Sequence, residues 1–220
     1  MKFHYYEPTI SEFGRKHPSN GNQLLHMLWS SFTSYTNLII SAISTNAIIL
    51  QDSIHRLRLL SLDIGTSVNK ILKFKKRKIH LPSKYQDELA MFINRLPDNE
   101  IKTIIEGMGS TWGALISAIL QDNIILMIEI ARALINGEGI NDMLAKLNAN
   151  TVLFINVIQA AGNKPVLVSK GIKIWTQFNN QFIEQIQAII ARDNIRTINL
   201  YNELQLQSFP MANFFNNVIL

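Results

Sequence analysis

Between residues 97 and 206, apolar residues recur at helical spacing on either side of three polar dipeptides, Asp122–Asn123, Gly162–Asn163 and Asp193–Asn194. Before them stand Leu115, Ile119 and Leu120; Ile155 and Ile158; Ile186, Ile189 and Ile190. After them come Met127, Ile130 and Leu134; Leu167, Ile172 and Ile174; Ile198, Tyr201 and Leu204. Spacings of three and four residues place each set on one helix face. Asp and Asn tolerate turn conformations and cap helix N-termini by accepting backbone N–H bonds. Each dipeptide is therefore predicted to be a tight turn between two helices. Pro165 falls in the first turn of its second helix, where a missing N–H costs nothing. The turns lie 40 and then 31 residues apart, and a short extra piece, Ile101–Gly107 or Ile140–Lys146, precedes two of the units. One helix pair cannot bury its apolar face alone, so pairs are expected to stack, over residues 81–220, as a short solenoid. Ser208–Leu220 is expected to cover the last repeat.

Ahead of the repeats the chain changes character. Residues 1–22 carry Pro8, Gly14, Pro18, Ser19, Asn20, Gly21 and Asn22, which predicts a flexible leader. The dense apolar residues from Gln23 to Leu62 predict two helices. Lys70, Lys73, Lys75, Lys76, Arg77 and Lys78 follow within nine residues. Without those six, 15 basic residues face 16 acidic ones, so the net charge of +5 is a local feature. Leu81–Pro82–Ser83 reads as the end of a linker, with Ser83 capping a helix over Tyr85–Arg95. The fold class is all-α: a helical N-terminal region over 23–80, then the repeats.

Little here supports catalysis. The absence of Cys removes disulfides, Cys-ligated metals and thiol nucleophiles. His4, His17, His26, His55 and His80 are dispersed, and metal binding needs clustered ligands. Asp63–Ile64–Gly65–Thr66–Ser67 matches the phosphate-binding hairpin of actin-like ATPases, but its structural context is missing, and a turn between helices is expected. No cofactor, metal site or small-molecule substrate is expected. The apolar runs at 38–50 and 113–135 are interrupted by polar residues, so no membrane span is expected, and no signal-peptide core is seen near the N-terminus.

The candidate contacts are with macromolecules. The interleaved Ile71, Leu72 and Phe74 suit the basic run to an acidic protein, to nucleic acid phosphates or an anionic membrane, or to a solvated linker. Trp29, Trp112 and Trp175 are large enough to anchor a partner, though Trp is more often core. Trp112 joins the six basic residues as a candidate partner contact.

The run Glu106–Ile135, with Thr197, Ile198, Tyr201 and Leu204 further on, resembles the ankyrin-like repeat tail of the EspL/OspD/enterotoxin-2 family of bacterial type III secreted effectors. Asp98–Asn99 and the following IKTII resemble the short helix that opens a unit. The likeness spans about Pro97–Leu206, half the chain. Long members look like cysteine proteases; this chain has no cysteine and lacks the length for that domain. The resemblance implies a short, non-enzymatic member, held in the bacterial cytoplasm before secretion into a host cell. It also implies a secretion chaperone on the N-terminal third, with a secretion signal in residues 1–22. It further implies a protein target on the repeats, either a host protein or a transcription activator that the chain restrains as an anti-activator.

Overall fold

A computed structural model describes residues 21–45, 47–163 and 168–220, which are almost wholly α-helical. The leader, apart from its last two residues, and Pro165 lie outside the described residues. Two long helices come first, α1 (Gly21–Thr45) and α2 (Leu50–Phe74). A 3-10 turn (Ser83–Tyr85) leads into the short α3 (Gln86–Arg95), followed by α4 (Asn99–Gly107). Three long helices follow: α5 (Trp112–Asn136), α6 (Asn141–Gly162) and α7 (Val168–Ile190). The chain closes with α8 (Asn194–Leu206) and α9 (Ser208–Ile219). Among the described residues the one β-type pairing is the bridge His80–Thr111.

The ends of α4, α5 and α8 follow local chemistry. Asp98 accepts from the backbone N–H of Glu100 and Ile101 to start α4, Thr111 from that of Ala114 to start α5, and Asp193 from that of Arg196 to start α8. Gly137, at φ 74°, ends α5 in the left-handed conformation that glycine adopts without a Cβ penalty. Ser83 does not cap α3; it opens the 3-10 turn, and Tyr85 stands at the cap without a side-chain bond.

Helix α5 is the axis of the molecule. Every residue from Trp112 to Gln121 is buried, and α2, α3, α4, α6 and α7 all pack on it. By length and apolarity alone it would span a bilayer, contrary to the reading of residues 113–135 as too interrupted, but 83% of its most apolar window is buried inside the fold. Its closest neighbour is α2. There Gly65 meets Gly113: a Cβ on Gly65 would lie 2.1 Å from Ser117 Oγ and 2.2 Å from the Gly113 carbonyl oxygen. Small residues let the two backbones approach, and side chains then bridge them. Ser117 Oγ donates to the Ser61 carbonyl (3.0 Å), Gln121 Nε2 to the Arg58 carbonyl (2.8 Å), and Asn69 Nδ2 to Thr111 Oγ1 (2.9 Å).

This crossing corrects the expected turn at Asp63–Ser67. The segment lies within α2, and Gly65 is there for interhelical contact. It also joins the two predicted regions, because the apolar core runs without a break from α1 to α9.

The repeat alignment fails at its first dipeptide. Asp122 and Asn123 sit midway along α5 and make no turn. Asn123 Nδ2 donates to Asn150 Oδ1 (3.3 Å), and Asn150 Nδ2 to Asp122 Oδ2 (3.0 Å) and the Ile119 carbonyl (3.1 Å). One step on, Asn179 Nδ2 donates to Thr151 Oγ1 (3.0 Å). The polar residues form a rung across α5, α6 and α7, which satisfies much of the hydrogen bonding that otherwise draws Asp and Asn to turns. Gly162–Asn163 and Asp193–Asn194 do lie at helix ends, Asn163 with φ 47° and Asp193 as the cap of α8. Ile140–Lys146 is the beginning of the long α6, whereas Ile101–Gly107 belongs to the separate α4, so the two are not equivalent pieces.

The chain also closes on itself. Solenoid repeats touch only their neighbours, but α1 packs against α7, α8 and α9. Trp29 of α1 lies 5.2 Å from Trp175 of α7 and 4.9 Å from Phe215 of α9; Trp175 in turn lies 4.4 Å from Phe154 of α6. Ser208–Leu220 therefore does more than cover the last pair; its strongest packing is on the first helix.

Candidate functional site

The basic run is neither a single feature nor a free linker. Lys70 and Lys73 belong to the last two turns of α2, Lys75 is its C-cap, and Lys76 follows with φ 55°. The Lys76 N–H bonds back to the Lys73 carbonyl and the Arg77 N–H to that of Leu72, the paired closure of a helix C-terminus. Arg77 is the exception in the run. Its guanidinium turns inward and donates to the carbonyls of Gly162 (2.8 Å) and Ile219 (3.3 Å), tying the ends of α6 and α9 to α2. Lys70, Lys73, Lys75, Lys76 and Lys78 are exposed around Phe74, which is 62% exposed. The next residues are held in place: the Leu81 N–H donates to the Ser110 carbonyl and the Trp112 N–H to that of Ile79, both at 3.0 Å.

Trp112 is not available as a partner anchor. It is 5% exposed and packs edge-on against Tyr85 at 5.1 Å. The other two tryptophans are core.

A second surface went unseen in the sequence. On α8 the predicted stripe Ile198, Tyr201, Leu204 is split: Leu204 is fully buried with Leu200, but Ile198 is 61% and Tyr201 44% exposed. Ile195, Leu206 and Phe209 also stand open, at 77%, 60% and 57%. Ile195, Ile198 and Leu206 follow one another at near-helical spacing, and Phe209, beside His26, extends the row onto α9. Alongside runs a groove of about 740 Å³ between α7 and α8, lined by Lys173, Thr176, Asn180, Gln181, Glu184 and Glu203 among others. Gln181 Nε2 donates to Glu203 (3.2 Å) across the groove, and Glu184 on its wall pairs with Arg196 (3.3 Å). The signal for the face was present in α8, where isoleucine and leucine occur on both sides; the stripe Ile198, Tyr201 and Leu204 mixes exposed and buried positions and leaves out Ile195, Leu200 and Leu206.

Two carboxyls are perturbed. Burial pushes the Asp63 carboxyl above the usual range, opposed by the charges of Arg56 and Lys70. Burial also raises Asp122, opposed by the hydrogen bond from Asn150 and by Arg95 and Lys146. They lie in different places, on α2 and in the α5–α6 rung. Among the described residues no group of three His, Cys, Asp or Glu is placed to hold a metal. A raised carboxyl binds its proton more tightly folded than unfolded, so stability falls as pH rises from the unfolded value through the folded one. Asp63→Asn is thus expected to raise the urea midpoint at pH 7, with the gain vanishing below about pH 3.8, the unperturbed value.

Compared with protein-family models, with curated proteins and with solved structures, the chain gives no match in any of the three.

Proposed function

We propose that this chain is a non-enzymatic protein-binding module whose contact surface is the exposed apolar face of α8 and α9. The observation that carries the reading is the row Ile195, Ile198, Leu206 and Phe209, each more than half exposed on a chain whose other apolar residues are mostly buried. Such a row loses nothing by facing a partner and costs solubility when it does not. The complementary surface is an amphipathic helix of a partner protein, which supplies apolar residues at matching spacing.

The resemblance of residues 97–206 gives this reading its finer form. The chain is then an exported effector of the type III kind, with ankyrin-like repeats, carried by a chaperone on its N-terminal third. It restrains a transcription activator until it leaves the cell. The Asp122–Asn123 rung inside α5 departs from the repeat that carries the resemblance, so the binding role stands on the α8 face first.

The test compares wild-type chain with the double variant Ile198→Asp, Leu206→Asp in a tagged pull-down from the source bacterium, with secretion off and on. The expected result is a transcription activator and a small chaperone on the wild type, with the activator lost from the variant at unchanged helicity. A drop in affinity of about a hundredfold is expected, since each exposed side chain buried at a contact is worth roughly 1.5 kcal/mol. If both proteins retain the same partners, the α8 face is not the contact. Host proteins in place of the activator would remove the anti-activator role and leave a host-directed adaptor.

A further inference from the structure

We infer that the end of α2 is a docking site for an anionic phospholipid surface, a role separate from protein binding through α8. The residues are Lys70, Lys73, Phe74, Lys75, Lys76 and Lys78. Three observations converge on this site. The first is charge: outside Lys70–Lys78 the chain is nearly neutral, and none of these lysines forms an ion pair among the described residues. The second is the apolar tip. Phe74 is 62% exposed at the last turn of α2 with lysines on both sides of it in the chain, so a side chain that water disfavours is surrounded by groups that water and lipid phosphate both accept.

The third is the identity of the cations. The single arginine of the run is turned inward onto Gly162 and Ile219, and every exposed cation is a lysine. Lysine is depleted where proteins meet proteins, and arginine is the residue that forks onto phosphates in nucleic acid recognition. Flexible point charges around an exposed phenylalanine suit a diffuse negative surface into which an aromatic ring can enter. Lys76 adds to this. Its left-handed φ of 55° is a position that glycine fills at lower cost, yet an exposed lysine stands there, two residues after Phe74.

The experiment is co-sedimentation of the full chain with vesicles of phosphatidylcholine alone, or mixed with phosphatidylserine at one part in three. Binding is expected only to the mixed vesicles, and to weaken as salt is raised. Removing one lysine, as in Lys73→Gln, is expected to weaken it about fivefold, and Phe74→Ser about tenfold. Lys76→Gly separates the docking role from a structural one, since it is expected to raise the urea midpoint while weakening vesicle binding about fivefold. In a Phe74→Trp variant the new fluorescence is expected to shift to the blue on mixed vesicles and to be quenched by brominated lipid. Equal binding to both vesicle types, or none, overturns the inference. So does retention on heparin or on an acidic protein without vesicle binding, which would assign the lysines to a soluble polyanion. None of these readouts depends on the α8 face, so a failure here leaves the proposed protein contact untouched.

Discussion

Gly65→Ala is expected to lower stability by about 2–3 kcal/mol, the cost of forcing an extra carbon into a packed contact. Helix propensity alone gives the opposite sign, because alanine is favoured over glycine inside a helix by about 1 kcal/mol. The crossing decides between them. The new methyl would stand 2.1 Å from Ser117 Oγ and 2.2 Å from the carbonyl oxygen of Gly113. One of those atoms is backbone, so relief requires α2 and α5 to separate. Separation lengthens the bridges from Ser117, Gln121 and Asn69 that cross the same seam. Urea unfolding measures the effect, and Gly107→Ala supplies the control. Gly107 closes α4 with nothing within 4 Å of a Cβ, so alanine there is expected to stabilise by up to about 1 kcal/mol. Equal effects at the two glycines would mean that the crossing is looser than its distances.

Trp175→Ala is expected to cost about 3–5 kcal/mol, the range for deleting a large aromatic from a core. Trp175 is 2% exposed and stands where four helices meet, 4.4 Å from Phe154, 5.2 Å from Trp29 and 5.9 Å from its own helix's Phe178, with Phe215 reached through Trp29 and Phe154. Whole domains are stable by only about 5–15 kcal/mol, so the variant is expected to melt near physiological temperature. The shape of the transition carries as much information as its midpoint. In a stack of repeats the loss stays near the altered pair and unfolding spreads into steps. Here Trp175 joins α1 to α6 and α7, and α1 itself packs on the last three helices, so one cooperative transition with an unchanged urea slope is expected. A biphasic curve would show that α1–α2 and α6–α9 unfold separately.

Much of the secondary structure was legible because its signals are local. The helices over 23–62, the short helix before Pro97, and the chain reversals at Gly162–Asn163 and Asp193–Asn194 are each set by periodicity and capping within a few residues. The all-α class follows from the same signals. The candidate site was legible only in part. Its charge cluster is visible as a count of lysines, but that Arg77 leaves the cluster to bind two carbonyls 85 and 142 residues away is invisible in the run itself.

The misreadings share a cause. Asp122–Asn123 and Gly65–Thr66 carry the residues of turns, and a local reading has no means of telling a turn from a helix that meets another helix at that point. Asn123 stays helical because Asn150 receives its amide 27 residues further on, and Gly65 because Gly113 needs the room. In α8 the isoleucines and leucines are set by sequence, but which of them is covered was decided by where α1 and α7 come to rest on it. The sequence by itself thus determined that the chain is helical, where several of its helices end and that its positive charge is gathered in one place. Only the tertiary structure decided that the first and last helices meet, that Asn123 is buried within a helix, and that an apolar row stays exposed. Burial is a property of contacts between residues far apart in the chain, and no short window of sequence contains both partners.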